Sequence, residues 1–416
     1  MVEIRQLDCG VRVAMEYIGE VQSVSLGIWV HAGSGFEGKS NSGVSHFIEH
    51  MMFKGTENRN AMEISRDMDA MGSRMNAFTG KEATCYYFKS LSSNVCRSLD
   101  ILMDMFTGSV FDEQEMERER RVIFEEMKMA NDDPADCCIE TVMQNVFRNT
   151  PLSSPVLGTE STLGRIRRQT ILRYIENQYT LDSIVVSVAG NFDGDALCEK
   201  LEDAFSRFRP GKPKYDYEPA PYEPAFRVRV KDIEQSHIAL AAKSVPVYDD
   251  DYFKIAVFSE ILGGSMSSRL FQNIRERKGL AYTVYSSNLS FEHDGAFYIY
   301  AAVAHDRIGA AVRGVKEELE NLGGSDVGDA ELSKAKEQLK SGFIFGLENV
   351  NSMMFRNGRE VLRRGAVRPA GEVLDEVDAV TAADVSRIAE KLCDINNYGA
   401  VAVTNHKTGL RRMVTG

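Results

Sequence analysis

The sequence predicts an α+β protein of two homologous domains, each a largely antiparallel sheet packed with helices and related by tandem duplication. Three observations predict this fold. Segments of strand and helix character alternate loosely and include a hairpin, a proline-dense stretch divides the chain near its middle, and the two halves share spaced residues. A chain of 416 residues is also longer than one ordinary hydrophobic core supports.

Periodicity and capping residues define the individual elements. Apolar residues alternate with small or polar ones over 23–30, which is typical of a half-buried strand. Gly55 stands just past a predicted short helix, and Asn60 with Glu63 resembles a capping box. The predicted elements are helices at 44–53, 60–71 and 112–130, a break at Pro134, and strands at 23–30, 84–88, 280–288 and 296–303.

A proline-dense segment marks the domain boundary. Residues 209–226 hold five of the ten prolines, a composition typical of an extended, semi-rigid connector. The sequence therefore predicts a first domain over 1–208, a linker over 209–226 and a second domain over 227–416.

The two halves repeat one another at a constant offset in sequence number. The repeated positions are Leu163, Ile166, Ile171 and Arg173, which recur as Val377, Val380, Val385 and Arg387 (377 − 163 = 214). An offset of half the chain indicates duplication of one large domain, since solenoid repeats are far shorter.

Composition excludes several classes of function. The net charge of −12 argues against nucleic acid as a partner, and no apolar run reaches the ~18 residues of a membrane span. The N-terminal residues resemble neither a signal peptide nor a transit peptide, so the expected location is the cytoplasm. The seven cysteines are scattered without a C-x-x-C pair, which disfavours a disulfide framework or a thiolate zinc site.

The segment from His46 to His50 carries the chemistry. On a helix the two histidines share a face, so both imidazoles can reach one ion, and Glu49 lies beside them. Zinc favours imidazole nitrogen, and a catalytic site leaves one coordination position for water, whose proton a nearby carboxylate can take. The order H-x-x-E-H reverses the commoner H-E-x-x-H. The apolar flanks predict a buried helix, where unpaired histidines are costly, which favours a metal site over two surface histidines.

The run from Gly43 to Gly55, GVSHFIEHMMFKG, resembles the signature of the pitrilysin family of zinc metallopeptidases. That family places its third ligand on a glutamate at a characteristic spacing beyond the second histidine. Counted from His50, that spacing leads to Glu126 (126 − 50 − 1 = 75). The neighbouring Glu125 is the rival ligand, but on a helix it points about 100° away. The resemblance implies one Zn²⁺ per chain and makes Glu119, on the face of Glu126, a carboxylate that supports the ligands.

Other positions match the family further along the chain. The run Asn76-Ala77-Phe78-Thr79 matches the family's edge strand, and the resemblance implies that an extended substrate adds to it at Asn76, Ala77 and Phe78. It also implies that Arg275 and Tyr282 contact the substrate and the oxyanion. A donor placed at a developing oxyanion stabilises the transition state by ~2.7–4 kcal/mol. Asp136 and Glu140 lie near positions where the processing peptidases of this family carry acidic residues, which favour an arginine close to the cleaved bond. The resemblance therefore makes basic peptides the first candidate substrates. The alternative is that these two residues only form a solvated acidic helix face.

Half-length members of the family pair into a clamshell around a closed chamber. The resemblance therefore implies an endopeptidase for short or unfolded peptides, working as a homodimer in which Arg275 and Tyr282 complete the partner's site. Three other interpretations stay open: the catalytic subunit of a heterodimeric processing peptidase, a non-catalytic structural homologue, and a zinc hydrolase with another substrate. The second half, which has no comparable histidine pair, is expected to bind no metal.

Overall fold

The computed structural model describes residues 2–206, 208–211 and 217–416, so residues 212–216 of the predicted linker lie outside the described residues. The chain divides into two compact units. The first comprises Met1–Met127, Ser154–Tyr217 and Ile344–Pro369, and the second comprises Lys128–Ser153, Glu218–Phe343 and Ala370–Gly416. The crossing at 217/218 falls within the predicted linker, and the chain also crosses at 127/128, 153/154, 343/344 and 369/370.

Eleven strands are present in the described residues. They are β1 (Glu3–Gln6), β2 (Arg12–Tyr17), β3 (Ser23–Val30), β4 (Arg74–Thr79), β5 (Thr84–Leu91), β6 (Ile184–Gly190), β7 (Phe226–Val230), β8 (Ser236–Ser244), β9 (Ala281–Ser290), β10 (Gly295–Val303) and β11 (Gly399–Thr404). The predicted strands at 23–30, 84–88, 280–288 and 296–303 are all among them.

The α-helices of the described residues are α1 (Val44–Met52), α2 (Ala61–Ala70), α3 (Val95–Gly108), α4 (Glu113–Asp132), α5 (Pro134–Val146), α6 (Glu160–Leu163), α7 (Arg168–Gln178), α8 (Gly194–Phe205), α9 (Tyr252–Ser259), α10 (Ile308–Gly323), α11 (Asp329–Gly346), α12 (Val350–Arg364), α13 (Ala370–Ala379), α14 (Ala382–Leu392) and α15 (Leu410–Thr415). The predicted capping box opens α2, where Asn60 and Glu63 bond reciprocally. Within the described residues, no helix combines the length and apolar character needed to cross a bilayer.

Each unit is built on one largely antiparallel sheet, as predicted. The first sheet has the order β1-β2-β6-β3-β5-β4 and the second has the order β7-β11-β8-β10-β9. In each sheet a single neighbouring pair is parallel, β2 with β6 and β11 with β7. The last five strands of the first sheet thus have the same arrangement as the five strands of the second.

The predicted duplication appears in the helix bounds. Adding 214 to the ends of α7 (Arg168–Gln178) yields the ends of α14 (Ala382–Leu392). Each helix leads through a short 3₁₀ turn into a strand of its own sheet, β6 or β11. The two halves therefore repeat the same local structure.

A helix from the other half of the sequence covers one face of each sheet. In the first unit, α12 packs on β2, β3 and β6, where Met354 and Val361 join Trp29 in a buried cluster. In the second unit, α5 packs on β8 and β11. Because α12 covers its second face, β3 is buried on both sides, and the predicted half-buried strand is wrong in that respect.

The contact between α12 and β3 requires a glycine at position 358. A Cβ added to Gly358 would overlap the indole ring of Trp29, which is itself 1 % exposed. We expect Gly358→Ala to lower the free energy of unfolding by about 1–3 kcal/mol, because this core cannot accept the methyl group without moving. Urea unfolding measures the effect.

The matched control for that substitution is Gly342→Ala in α11. A Cβ at Gly342 meets nothing within 4 Å. We expect this change to be neutral or to stabilise by up to ~1 kcal/mol, since alanine favours the helix. Equal effects of the two substitutions would contradict the packing described for α12.

Candidate metal centre

Helix α1 places the motif on a largely buried element of the first unit. Phe47, Ile48 and Met51 are buried in the core, while Glu49 and His50 remain partly exposed. The Phe47 ring lies 5.0 Å from the guanidinium carbon of Arg120 on α4. Packing of the apolar face of α1 against the core therefore fixes the direction in which its polar face points.

A buried carboxylate anchors the N-terminus of α1. Glu37 accepts hydrogen bonds from the backbone N–H of Gly43 at 2.6 Å and of Ser45 at 2.8 Å. A negative charge is favourable at this end of a helix, although burial raises the pKa of Glu37 to about 7. Gly43 has φ +90°, and a side chain there would also collide with Gly158, so the entry to α1 is closely specified.

Three side chains converge within the first unit. Glu126 Oε2 lies 3.7 Å from His46 Nε2 and 3.5 Å from His50 Nε2. Their ligand atoms all lie within 4.8 Å of one another, and no other group of three potential ligands is found in the described residues. Helix α4 brings Glu126 to the imidazoles, whereas the neighbouring Glu125 is exposed. This geometry favours Glu126 over its rival.

The donor set fits a zinc ion. At zinc bond lengths of ~2.0–2.1 Å, two ligand atoms of a tetrahedral site lie about 3.4 Å apart, close to the two distances above. Burial, together with the neighbouring His50, lowers the pKa of His46 to about 4, so its imidazole is neutral at neutral pH. Hydrogen bonding to His50 lowers the pKa of Glu126, which keeps this ligand a carboxylate. Two imidazoles and one carboxylate are a ligand set that suits zinc and leaves one coordination position for water.

Glu119 contacts one of the two imidazoles. It lies 6 % exposed on α4, and its Oε2 is 3.1 Å from His50 Nδ1. Burial acts to lower the pKa of His50, but hydrogen bonds with Glu126 and Glu119 outweigh it and raise that pKa. With Nδ1 bonded to a carboxylate, Nε2 of His50 is directed to the ligand group.

Glu49 is joined to the edge strand of the first sheet. The hydroxyl of Thr79, the last residue of β4, donates to Glu49 Oε2 at 2.5 Å. Burial raises the pKa of Glu49, which brings a carboxylate closer to the range suited to proton transfer at neutral pH. Asn76, Ala77 and Phe78 precede Thr79 in β4, which pairs with β5 and ends the sheet.

The remaining predicted residues belong to the second unit. The guanidinium carbon of Arg275 lies 5.2 Å from the ring centroid of Tyr282, so the structure brings this predicted pair together. Tyr282 is 73 % exposed at the start of β9. Asp136 and Glu140 lie one turn apart on α5.

Three further residues contact the centre or its helix without having been assigned a role from the sequence: Glu37, Lys54 and Thr79. Thr79 belongs to the run that resembles the family's edge strand, but its contact with Glu49 was not predicted. Lys54 lies in the run that resembles the family signature, whereas Glu37 stands in no recognisable pattern. The partners of both depend on tertiary packing.

Comparison with known proteins assigns the class of this fold and site. Two solved structures share the fold. A protease from Helicobacter pylori has a TM-score of 0.91 at 20 % identity, over 97 % of this chain and 99 % of that one. A peptidase M16 inactive domain from Pseudomonas fluorescens has a TM-score of 0.90 at 16 % identity, over 98 % of this chain and 99 % of that one. The chain therefore shares its fold with these two proteins over nearly its whole length.

Sequence relatives and family models define the family. The uncharacterized zinc protease YmxG of Bacillus subtilis is 37 % identical over 94 % of this chain and 95 % of its own length. The uncharacterized zinc protease ML0855 of Mycobacterium leprae is 36 % identical over 95 % of this chain and 89 % of its own length. Residues 12–160 match the model "Insulinase (Peptidase family M16)", and residues 165–339 match "Peptidase M16 inactive domain". The chain belongs to the insulinase (M16) family of peptidases, which confirms the resemblance, and the predicted zinc cofactor agrees with the ligand set and these relatives.

Proposed function

We propose that this chain is a zinc-dependent endopeptidase that hydrolyses short or unfolded peptides, with Glu49 as the base that activates water. The observation that carries the proposal is the convergence of His46, His50 and Glu126 beside Glu49. A bound zinc ion supplies Lewis acidity that polarises water and the scissile carbonyl. Within reach of that centre, Glu49 takes the proton from the attacking water and returns it to the leaving amine.

The substrate lies extended along β4 in this proposal. An edge strand offers unpaired backbone groups to a peptide, with little regard to its sequence. The hydroxyl of Thr79 donates to Glu49, so a side chain of the strand proposed to bind the peptide also holds one oxygen of the base. Asn76, Ala77 and Phe78 are the proposed binding residues.

Charge supports basic peptides as the preferred class. The chain carries a net charge of −12, and Asp136 and Glu140 place two carboxyl groups on one helix. Opposite charge raises the local concentration of a basic peptide near an acidic surface. We propose that these two residues favour arginine or lysine close to the scissile bond.

Metal removal combined with a choice of substrates tests the proposal. We expect the purified chain to hold about one zinc and to cut an unstructured, arginine-containing peptide. A chelator should abolish cleavage, and stoichiometric zinc should restore it. The same peptide with its arginines replaced by glutamine is the substrate control, and a folded protein of similar charge should stay intact. A zinc-loaded chain that cuts none of these peptides would refute the peptidase assignment.

We propose further that the active form is a homodimer in which Arg275 and Tyr282 act on the partner's site. Support comes from their mutual contact and from the exposure of Tyr282, whose hydroxyl is free to meet a substrate. A donor placed at a developing oxyanion stabilises the transition state by ~2.7–4 kcal/mol. Because one chain has both the metal ligands and this pair, a symmetric dimer needs no second gene product.

Mixed dimers test this arrangement. Glu49→Gln and Tyr282→Phe chains are each expected to be nearly inactive. After subunit exchange, half of the dimers contain one of each chain, and one of their two sites is intact, so activity should recover to about a quarter of wild type. A mixture of Glu49→Gln with His50→Ala serves as the control, because both changes affect the same subunit's site and no recovery is expected. Recovery in neither mixture would place Tyr282 on the site of its own chain.

A further inference from the structure

A lysine at the end of the motif helix contacts the metal centre through one intermediate residue. Lys54 Nζ lies 2.7 Å from Glu119 Oε1, and the other oxygen of the same carboxylate lies 3.1 Å from His50 Nδ1. His50 Nε2 in turn lies 3.5 Å from Glu126 Oε2. Lys54, Glu119 and His50 thus form a continuous chain that ends at the ligand group.

The surroundings of Glu119 explain why it needs a cation. Its side chain is 8 % exposed, whereas that of Lys54 is 30 % exposed. A buried carboxylate is costly unless its charge is compensated and its oxygens are bonded. The imidazole of His50 occupies one oxygen. The ammonium of Lys54 compensates the charge and occupies the other oxygen.

The backbone holds Lys54 in position for this contact. Its N–H bonds to the carbonyl of Met51 at 3.0 Å, which extends the last turn of α1. A lysine at a helix C-terminus also complements the helix dipole, so a purely local role is the alternative. An exposed ion pair such as Lys200 with Asp100, whose side chains are 39 % and 54 % exposed, contributes little. Lys54 differs because its partner is buried and contacts a metal ligand.

We propose that Lys54 is a positioning residue for the metal centre. By holding Oε1 of Glu119, it prevents the carboxylate from rotating towards water, and Oε2 stays in place as the acceptor for His50 Nδ1–H. The imidazole is then held in one tautomer and one orientation, with the lone pair of Nε2 on the ligand group. This inference rests on the proposed zinc site and adds to it a residue that touches neither metal nor substrate.

Zinc affinity measured by chelator competition tests the inference. Lys54→Met removes the ammonium and keeps the aliphatic stem, and we expect a loss of about tenfold, within the ~10–100-fold range of groups that orient metal ligands. Lys54→Arg keeps the charge and should bind zinc within about threefold of wild type. Lys200→Met, the control from an exposed pair, should leave zinc affinity unchanged.

A double-mutant cycle tests whether Lys54 acts through Glu119. The Lys54→Met/Glu119→Gln chain should lose no more zinc affinity than Glu119→Gln alone, since the intermediate carboxylate is already gone. Losses that multiply would overturn the proposed route. Unchanged affinity in Lys54→Met would overturn the inference itself.

A second measurement needs no metal. Spectra of zinc-free chains containing ¹⁵N-labelled histidine, recorded in alkaline buffer where the imidazole is neutral, report the tautomer of His50, which should be the Nδ1–H form in wild type and mixed in Lys54→Met. An unchanged tautomer would overturn the inference. Should Lys54→Met fail to fold, Lys54→Gln is read in the same way. If the wild-type chain binds no zinc, the proposed function and this inference are both refuted. If the wild-type chain binds zinc and Lys54→Met shows the same zinc affinity and the same His50 tautomer, this inference alone is refuted.

Discussion

Glu49→Gln is expected to reduce kcat by at least about 10²–10⁴-fold while the chain keeps its zinc. The reason is that Gln cannot accept the proton of the attacking water, although it has nearly the same shape as Glu. Glu49 lies outside the group formed by His46, His50 and Glu126, so removing its charge does not remove a ligand. Cleavage of an unstructured peptide and metal analysis of the same preparation measure the two effects.

The control for this substitution is Glu57→Gln, an exposed glutamate shortly after the motif helix. It should cut the peptide at the wild-type rate. Comparable activity of the Glu49→Gln and wild-type chains would show that another group is the base. Loss of zinc from Glu49→Gln would instead show that Glu49 contributes to the metal site.

Glu126→Gln is expected to lose zinc. An amide oxygen is a weaker ligand than a carboxylate, and the negative charge that compensates the ion disappears. The loss in affinity should exceed the ~10–100-fold cost of removing a group that only orients a ligand. Titration with a competing chelator measures this loss, and peptide cleavage should fall with zinc occupancy.

Glu125→Gln is the matched control, because it makes the same chemical change one position away on the same helix. Glu125 is exposed, while Glu126 Oε2 lies within 3.7 Å of both imidazoles. We expect Glu125→Gln to keep wild-type zinc affinity. If Glu125→Gln lost zinc and Glu126→Gln kept it, the ligand assignment from the geometry of α4 would be reversed.

Features that depend on neighbouring residues could be predicted from the sequence. The motif helix, the capping box of Asn60 with Glu63, and the hairpin of β9 and β10 are local, because helix and turn geometry connects residues a few positions apart. The duplication was visible because two copies of one domain keep the same spacing of buried positions. Pro134 was predicted as a break, and it stands at the first position of α5, where no backbone N–H is needed.

Features that depend on distant residues came only from the tertiary structure. The alternation in β3 predicted one exposed face, but α12, which lies in the other half of the sequence, covers that face. The hydroxyl of Thr79 on Glu49 and the ammonium of Lys54 on Glu119 likewise depend on which helix faces pack together. No periodicity encodes such contacts.

The sequence by itself indicated the family, the fold class and the three metal-ligand candidates His46, His50 and Glu126, the last through the spacing of the family that it resembles. His46 and His50 are one helical turn apart, so the geometry of a single helix suffices to bring them together. Tertiary structure decided which contacts form around them: Glu126 lies at the imidazoles while Glu125 is exposed, Lys54 contacts Glu119, and Thr79 contacts Glu49. The physical reason is that a side chain's neighbours on other elements are set by burial of apolar faces, which only the folded chain defines.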